Sequence, residues 1–540
     1  MAERLFGVET EYALAGLGDS TEQDRRRLIE LVLEAARAEL AGLPDVHSGG
    51  MFLANGARFY VDLGLHPEFC TPECANPWDV VRYIHAGEEI LLSLLERVQR
   101  GRLVDNELFC IRTNVDYSGG GATWGCHESY LHRSDQDVVS DEIIPHLVTR
   151  IVYTGAGGFN PCAHELEFSL SPRAAHLVSV ISESSTENRG IFHTKDESLS
   201  SQGYHRLHLL CGESLCSETA SWLKVGATVL VVAMIDAGLK PGREVQLESP
   251  LEALRTVAKD VKCQSTLRLQ RGKPRTAIAI QRHYLEQAEA NLKMDFMPPW
   301  APEVCRRWRA MLDLLEGAPG SVARTLDWAI KHALYLDYLH RSGLRWDAMP
   351  YWNGVLNTLS AALAQFGIRG LDPDFLLSPH SPVLEDVAAL TPKLREHGLR
   401  WSDFSKYAGV RSQLYEADTR FGQLDANGIF QKLDRAGVLT HRVPGVDNIP
   451  HAIANPPAIG RARLRGETIQ RMVSGQAQGR CDWQSIWDTT EKRFLDLSDP
   501  FAAEERWQAA RVPPREGRGL SRPASQDADP ALQMFLDLRR

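Results

Sequence analysis

Much is missing from these 540 residues, and each absence removes a class of function. No long run of Lys and Arg occurs and the net charge is −10, so nucleic acid is not an expected partner. The opening MAERLFG lacks a charged and then apolar leader. The longest apolar run, Val225 to Ile235, is too short to span a bilayer. No membrane role and a cytoplasmic location are therefore expected. The nearest cysteine pairs, Cys70 with Cys74 and Cys211 with Cys216, have no second pair at zinc spacing and read as buried thiols. The glycine loop Gly155 to Gly158 lacks the Gly-Lys-Ser/Thr ending of a P-loop. There is no Gly-x-Ser-x-Gly elbow, no cysteine in a nucleophile motif, and no repeat beyond the short strings SGLRWD (ending at Asp347) and HGLRWS (ending at Ser402).

What is present is an ordinary globular composition, 43% apolar and 24% charged. The length exceeds one ordinary core, which predicts a large domain plus a smaller one. Apolar stripes at helical spacing predict helices over 21–43, 77–97, 217–238 and 300–345. Leu108 to Val115, Trp124 to Leu131 and Leu166 to Val180 read as strands. Strands and helices mix without a regular alternation, which favours an α+β sheet with helices packed on it. Residues 346–400, rich in Pro, Ser and Leu, read as an insertion, and Asp482-Trp483 opens a separate C-terminal element. The tail at 513–540 is compositionally disordered.

Two short stretches carry the chemistry. In NGARFYVDLGLHPEFCTPECAN, Asn55 to Asn76, an Asn-Gly turn precedes strict alternation. Arg58, Tyr60 and Asp62 share one face, with Glu68, Thr71 and Glu73 following after a loop. The pattern admits a half-buried strand with an ion pair. It also admits the wall of a site for a charged substrate and a metal. In LFGVETEYAL, Leu5 to Leu14, Glu9 and Glu11 share a face. Two glutamates on an apolar strand are costly to bury alone, and Mg²⁺ takes carboxylates together with substrate phosphates. Arg206, in the alternating string YHRLHL, is a phosphate candidate because a guanidinium grips two oxygens; a surface arginine fits the pattern equally. His127 and Glu128 point to opposite sides of a strand, so only one of them faces any site.

These strings, with GCHESYL at 125–131, HTKDE at 193–197, LKVG at 223–226 and RARLRGE at 461–467, resemble the Pup ligase and depupylase family in family order. The resemblance implies a glutamine-synthetase-like fold: a curved antiparallel sheet flanked by helices, with a catalytic domain at 1–450 and a small C-terminal domain at 451–512. It implies ATP and Mg²⁺ as cofactors, and as partners a small disordered Pup-like modifier and lysine-bearing target proteins. By motif, Glu9, Tyr60 and Glu68 match the family's magnesium positions, Arg58 and Thr71 its nucleotide contacts, and Asp62 its catalytic aspartate. Trp483 matches a tryptophan that closes over ATP. The ligase joins the modifier's C-terminal Glu γ-carboxylate to lysine; the depupylase cuts that bond or deamidates a C-terminal Gln. Residues 13–55, 43 in all, separate Tyr12 from Gly56, which resembles the ligase spacing. TPECANP, LDW…GLRWD and IANPP lean the other way, and a small-molecule glutamate–amine ligase would share the metal strands. The expected activity is ligation, with depupylation as the alternative.

Overall fold

The computed structural model describes residues 4–16, 22–62, 64–101, 107–117, 122–160, 166–182, 189–193, 203–344, 348–368 and 372–509. The C-terminal tail at 513–540 and most of the HTKDE string lie outside them. Its centre is a nine-stranded sheet: β1 (Phe6–Glu11), β2 (Gly42–Pro44), β3 (Met51–Leu53), β4 (Arg58–Val61), β5 (Pro67–Cys70), β6 (Cys126–His132), β7 (Ser179–Ser182), β8 (Gly190–His193) and β9 (His205–Leu209). The order is β7-β8-β9-β6-β1-β5-β4-β3-β2. Every pairing is antiparallel except β7 with β8. β1 lies between β5 and β6, so its two glutamates have neighbours on both sides.

One sheet face is sealed by helices. α1 (Pro77–Arg100) starts at Asn76, whose side chain accepts from the Asp79 N–H at 2.9 Å, with Pro77 in the first turn. Its Gly87 lies on Phe69 of β5, where an added Cβ would come within 2.4 Å of the ring. α2 (Glu218–Asp236) is capped by Ser217 and apolar around its whole circumference. It is the one described helix long and apolar enough to cross a membrane, and it is wholly buried, as an all-round apolar helix in a large core must be. On the same inner face Arg150 grips Glu128 through two hydrogen bonds of 2.6 and 2.8 Å, so neither charge is buried alone.

The insertion is helical. α3 (Met349–Ala364) and α4 (Leu384–Glu396) lead into α5 (Phe404–Phe421). Trp352 packs on Tyr407 with ring centroids 5.3 Å apart. The stretch 166–180 differs from its expected strand: it holds a two-residue strand, a 3₁₀ turn at Pro172–His176 and only then β7. Pro172 fixes φ and has no N–H for a ladder, which turns the chain there.

At the C-terminus α6 (Gly460–Ser474) leads into a four-stranded antiparallel sheet, β10 (Gly479–Cys481), β11 (Ser485–Asp488), β12 (Arg493–Asp496) and β13 (Trp507–Ala509). This unit is joined to the main sheet. The Val46 N–H donates to the Cys481 carbonyl at 3.0 Å, and Leu43 and Phe52 share a core with Ile486 and Leu495.

Candidate active site

The open face of the sheet forms a cleft of about 510 Å³. Period-two alternation and register build it. Arg58 stands opposite Cys70, Cys70 opposite Glu9, and Glu9 opposite His127. In the next row Tyr60 stands opposite Glu68, and Glu68 opposite Glu11. Opposed residues lie close enough to touch. The Tyr60 hydroxyl is hydrogen-bonded to both Glu9 and Glu68. Cys70 Sγ donates to Glu9 Oε1 at 3.3 Å, and the Gly125 N–H donates to Glu11 Oε2 at 2.9 Å. His127 reaches across both glutamates, Nδ1 at 3.6 Å from Glu9 Oε2 and Nε2 at 3.6 Å from Glu11 Oε1.

Two donor groups result: Glu9 with His127 and His208, and Glu11 with Asp62 and Glu68, the ligand atoms of each within 4.8 Å of one another. Burial and the charges of Glu9 and Glu11 push the Glu68 carboxyl well above its ordinary range. Burial also raises Glu9, but His127 outweighs it and holds Glu9 well below that range. Burial and Glu9 push the Tyr60 phenol well up. Both ring nitrogens of His208 are buried without a hydrogen-bond partner. A crowd of carboxylates beside an unpartnered imidazole fits a divalent cation, and the oxygen-rich donor set fits a hard one. Glu9 and Glu68, joined through the Tyr60 hydroxyl, fall one in each donor group and could hold such a cation.

Asp62 sits where β4 turns back. Its Oδ1 accepts from the His66 N–H at 2.6 Å, and its Oδ2 lies 3.2 Å from His66 Nδ1. Leu65, at φ 62°, closes this turn in the left-handed region. The His66 ring lies against Trp124, centroids 5.1 Å apart. The carboxylate is therefore fixed in orientation while remaining on the cleft wall.

The other expected residues also line the cleft, each with protein partners. Arg58 is not a free cation. It donates to Asp45 Oδ2 at 2.6 and 2.9 Å and lies over the Tyr60 ring at 3.9 Å. Thr71 Oγ1 accepts from the Val8 N–H at 3.1 Å. Arg206 donates to Ser129 Oγ at 3.0 Å, opposite Leu131, at the end of the cleft away from Asp62. Trp483 is half-buried, edge-on to Phe52 at 5.1 Å and under the Arg465 guanidinium at 4.9 Å, so it is a seated wall residue. Sequence reasoning missed His208 and left His127 unassigned; the strand period gave the face of each, but a lone histidine carries no sign of its neighbours. Glu73, noted only as a polar follower, is gripped by Arg461 at 2.7 Å and by Arg465.

Comparison with known proteins agrees with this geometry. The profile of the Pup-ligase protein family matches residues 4–352 and 388–487. The Pup--protein ligase of Mycobacterium ulcerans (strain Agy99) is 30% identical over 524 residues, spanning 94% of this chain and 98% of that protein. That of Rhodococcus erythropolis (strain PR4 / NBRC 100887) is 30% identical with the same coverage. The crystal structure of the complex between the prokaryotic ubiquitin-like protein Pup and its ligase PafA superposes with a TM-score of 0.70 at 24% identity, covering 93% of this chain and 90% of that one. The Pup ligase PafA in complex with ADP gives 0.64 at 23% identity, covering 91% and 93%. The unmatched segment, 353–387, falls within the helical insertion. With the carboxylate rows in the cleft and the matching profile along most of its length, the chain belongs to the Pup-ligase protein family.

Proposed function

We propose that this protein is an ATP-dependent Pup–protein ligase, which joins the γ-carboxylate of the C-terminal Glu of a Pup modifier to lysines of target proteins. The observation that carries the reading is the carboxylate row ending at a fixed Asp62, in a chain whose full-length curated relatives are Pup--protein ligases. Ligation rather than depupylation follows from those relatives, and the 43-residue spacing agrees.

The chemistry divides among the walls. A carboxylate is a poor acyl donor until ATP phosphorylates it and gives it a leaving group. Mg²⁺ at Glu9, Glu68 and Tyr60 would offset phosphate charge. Thr71, Arg206 and Trp483, which all line the cleft, contact the nucleotide, in keeping with the ADP bound by the PafA relative. The incoming lysine is protonated at neutral pH and must lose a proton before it attacks the acyl carbon. Asp62, oriented by His66, takes that proton. The amine then forms the isopeptide bond as phosphate leaves. The free, mostly buried thiols need no oxidising compartment, and we place the protein in the cytoplasm.

The test is to incubate the protein with ATP, a lysine-bearing target and Pup ending in Glu. Adduct with ADP release is expected. Asp62→Asn should lower turnover by about 10²-fold or more, with nucleotide affinity near wild type. Full activity in Asp62→Asn overturns the mechanism. Cleavage of purified adduct, with no adduct formed in the first assay, overturns the direction.

A further inference from the structure

Outside the cleft, one hairpin concentrates positive charge in an acidic chain. From Val261 to Leu285 there is no Asp or Glu, although the whole chain carries 70 of them against 60 Lys and Arg. The same stretch holds Lys262, Arg268, Arg271, Lys273 and Arg275. Two short antiparallel strands, Thr266–Leu267 and Arg275–Thr276, close the hairpin, with Thr266 opposite Thr276 and Leu267 opposite Arg275. The chain turns between them through Gly272, at φ 90°. Alternation continues past the first strand: Leu267 and Leu269 are buried, while Thr266, Arg268 and Gln270 are exposed. Arg271 and Lys273 are exposed at the tip.

The hairpin is pinned to the body. Leu269 bridges to Leu247, the Gln270 N–H donates to the Gln246 carbonyl at 2.8 Å, and the Glu248 N–H donates to the Arg268 carbonyl at 3.1 Å. At its base the Asp260 carboxylate accepts from the backbone of Lys262 and Ser265 at 3.3 and 2.6 Å. Thr276 caps the following helix, Ala277–Ala290, whose Arg282 is held by Asp313 and Glu316 at 2.7 and 2.6 Å. Among the described residues the five hairpin cations have no such carboxylate. Like charges held this close repel one another, and their summed field attracts an anionic surface. A fixed backbone presents that field with little left to order on binding.

The hairpin springs from a helix tied to the cleft wall near Asp62. That helix, Pro250–Lys259, is bonded on both sides of the 3₁₀ turn that carries Arg173: the Leu170 N–H donates to the Ala258 carbonyl at 2.7 Å, and Arg255 donates to the Leu177 carbonyl at 3.5 Å. Arg173 lines the cleft against Gly125, whose N–H holds Glu11, and Glu11 groups with Asp62. Resting on the ligase reading, we propose that this hairpin docks an acidic surface of the lysine-bearing target protein. A folded target is too large for a cleft of about 510 Å³, so the surface around its reacting lysine meets the outside of the enzyme. Position favours the target over the modifier, which delivers its terminal carboxylate into the cleft, where no hairpin residue lies. The hairpin then selects among lysines: those beside acidic patches are drawn in, and those on lysine-rich surfaces are repelled.

The experiment uses the full chain with Mg-ATP, Pup ending in Glu, and one target protein with a single lysine, extended by a run of glutamates or by an equal run of glutamines. Wild type should favour the glutamate form by about tenfold in kcat/KM at low salt, through KM, and the advantage should shrink as salt rises. Arg271→Glu combined with Lys273→Glu should abolish the advantage, the matching pair of Gln substitutions should reduce it, and Arg271→Lys should keep it. Use of the glutamine form and Mg-ATP affinity should stay at wild-type values in every variant. Equal use of the two target forms by wild type overturns the docking surface and leaves the ligase reading standing. So does an advantage that survives both charge reversals, or a penalty that is the same for both target forms. A penalty that follows the KM for Pup overturns it as well, by assigning the hairpin to the modifier. No adduct with either target form overturns the ligase reading itself.

Discussion

Tyr60 joins two carboxylates that would otherwise only repel. Its hydroxyl donates to one of them, and the cluster still keeps Glu68 well above its ordinary pKa through burial and the charges of Glu9 and Glu11. A cation in place of protons would relieve that repulsion, which makes nucleotide affinity depend on these side chains. Glu9→Ala and Glu68→Ala should each lose most of the Mg²⁺-dependent part of ATP affinity, about tenfold or more, and little of the metal-independent part. Nucleotide titrations with and without Mg²⁺ read this directly; unchanged Mg²⁺ dependence in both variants would remove the metal assignment. Arg58 cannot be expected to act as a mobile phosphate clamp while Asp45 holds it at 2.6 Å. Its nearer effect is on Tyr60, whose ring it covers.

At the scale of elements, α6 and the loop after β5 are locked by one carboxylate. Glu73 accepts from Arg461 and Arg465, and Arg465 also donates to the Gly56 carbonyl at 2.9 Å. Gly56, at φ 81°, is the turn that launches β4, and an added Cβ there would come within 2.9 Å of the Ala462 carbonyl. Only glycine lets this turn lie so close against α6. Burial would raise Glu73, but the two guanidiniums outweigh it and hold the carboxyl down to about 2. A depressed folded-state pKa gives stability that is full above the unfolded value of about 4.3 and fades as pH falls toward about 2. Glu73→Gln should cost about 3 kcal/mol at neutral pH, because it leaves two buried guanidiniums uncompensated. The gap from wild type, read from denaturant midpoints, should be flat above about pH 5 and narrow below it. A gap that widens in acid would contradict the linkage.

Across the whole molecule, the helical insertion returns to the main body through α5. Asp418 on that helix accepts from Tyr117 at 2.8 Å and Tyr335 at 2.6 Å, and pairs with Lys331 at 2.9 Å. Tyr117 stacks on Tyr415 of the same helix at 4.5 Å. Trp352 of the insertion packs on Trp401, Phe404 and Tyr407, where the chain enters α5. The family profile skips 353–387 and resumes before α5, so the anchor lies in the part of the chain that the profile matches. Asp418 does not line the cleft. Asp418→Asn should lower the denaturant midpoint by an amount equivalent to about 3 kcal/mol, by leaving Lys331 buried and uncompensated, and should not alter Mg-ATP affinity. A loss of affinity without a loss of stability would show instead that the anchor reaches the site.

The sequence by itself determined the local periods: the alternation at Glu9, Glu11, Arg58, Tyr60 and Asp62, the apolar stripes of α1 and α2, and the motifs that resemble the family. Alternation fixes which face a side chain takes. It does not fix which strand lies next to it, because pairing is made between segments far apart in the chain. Only the tertiary structure decided that Glu9 lies between Cys70 and His127, that Asp45 holds Arg58, and that Trp483 is seated on Phe52. The same limit hid Arg173. Read as part of a strand over 166–180, it had no reason to face the cleft; Pro172 breaks that strand, and the Arg173 guanidinium lines the cleft against Gly125, beside His127.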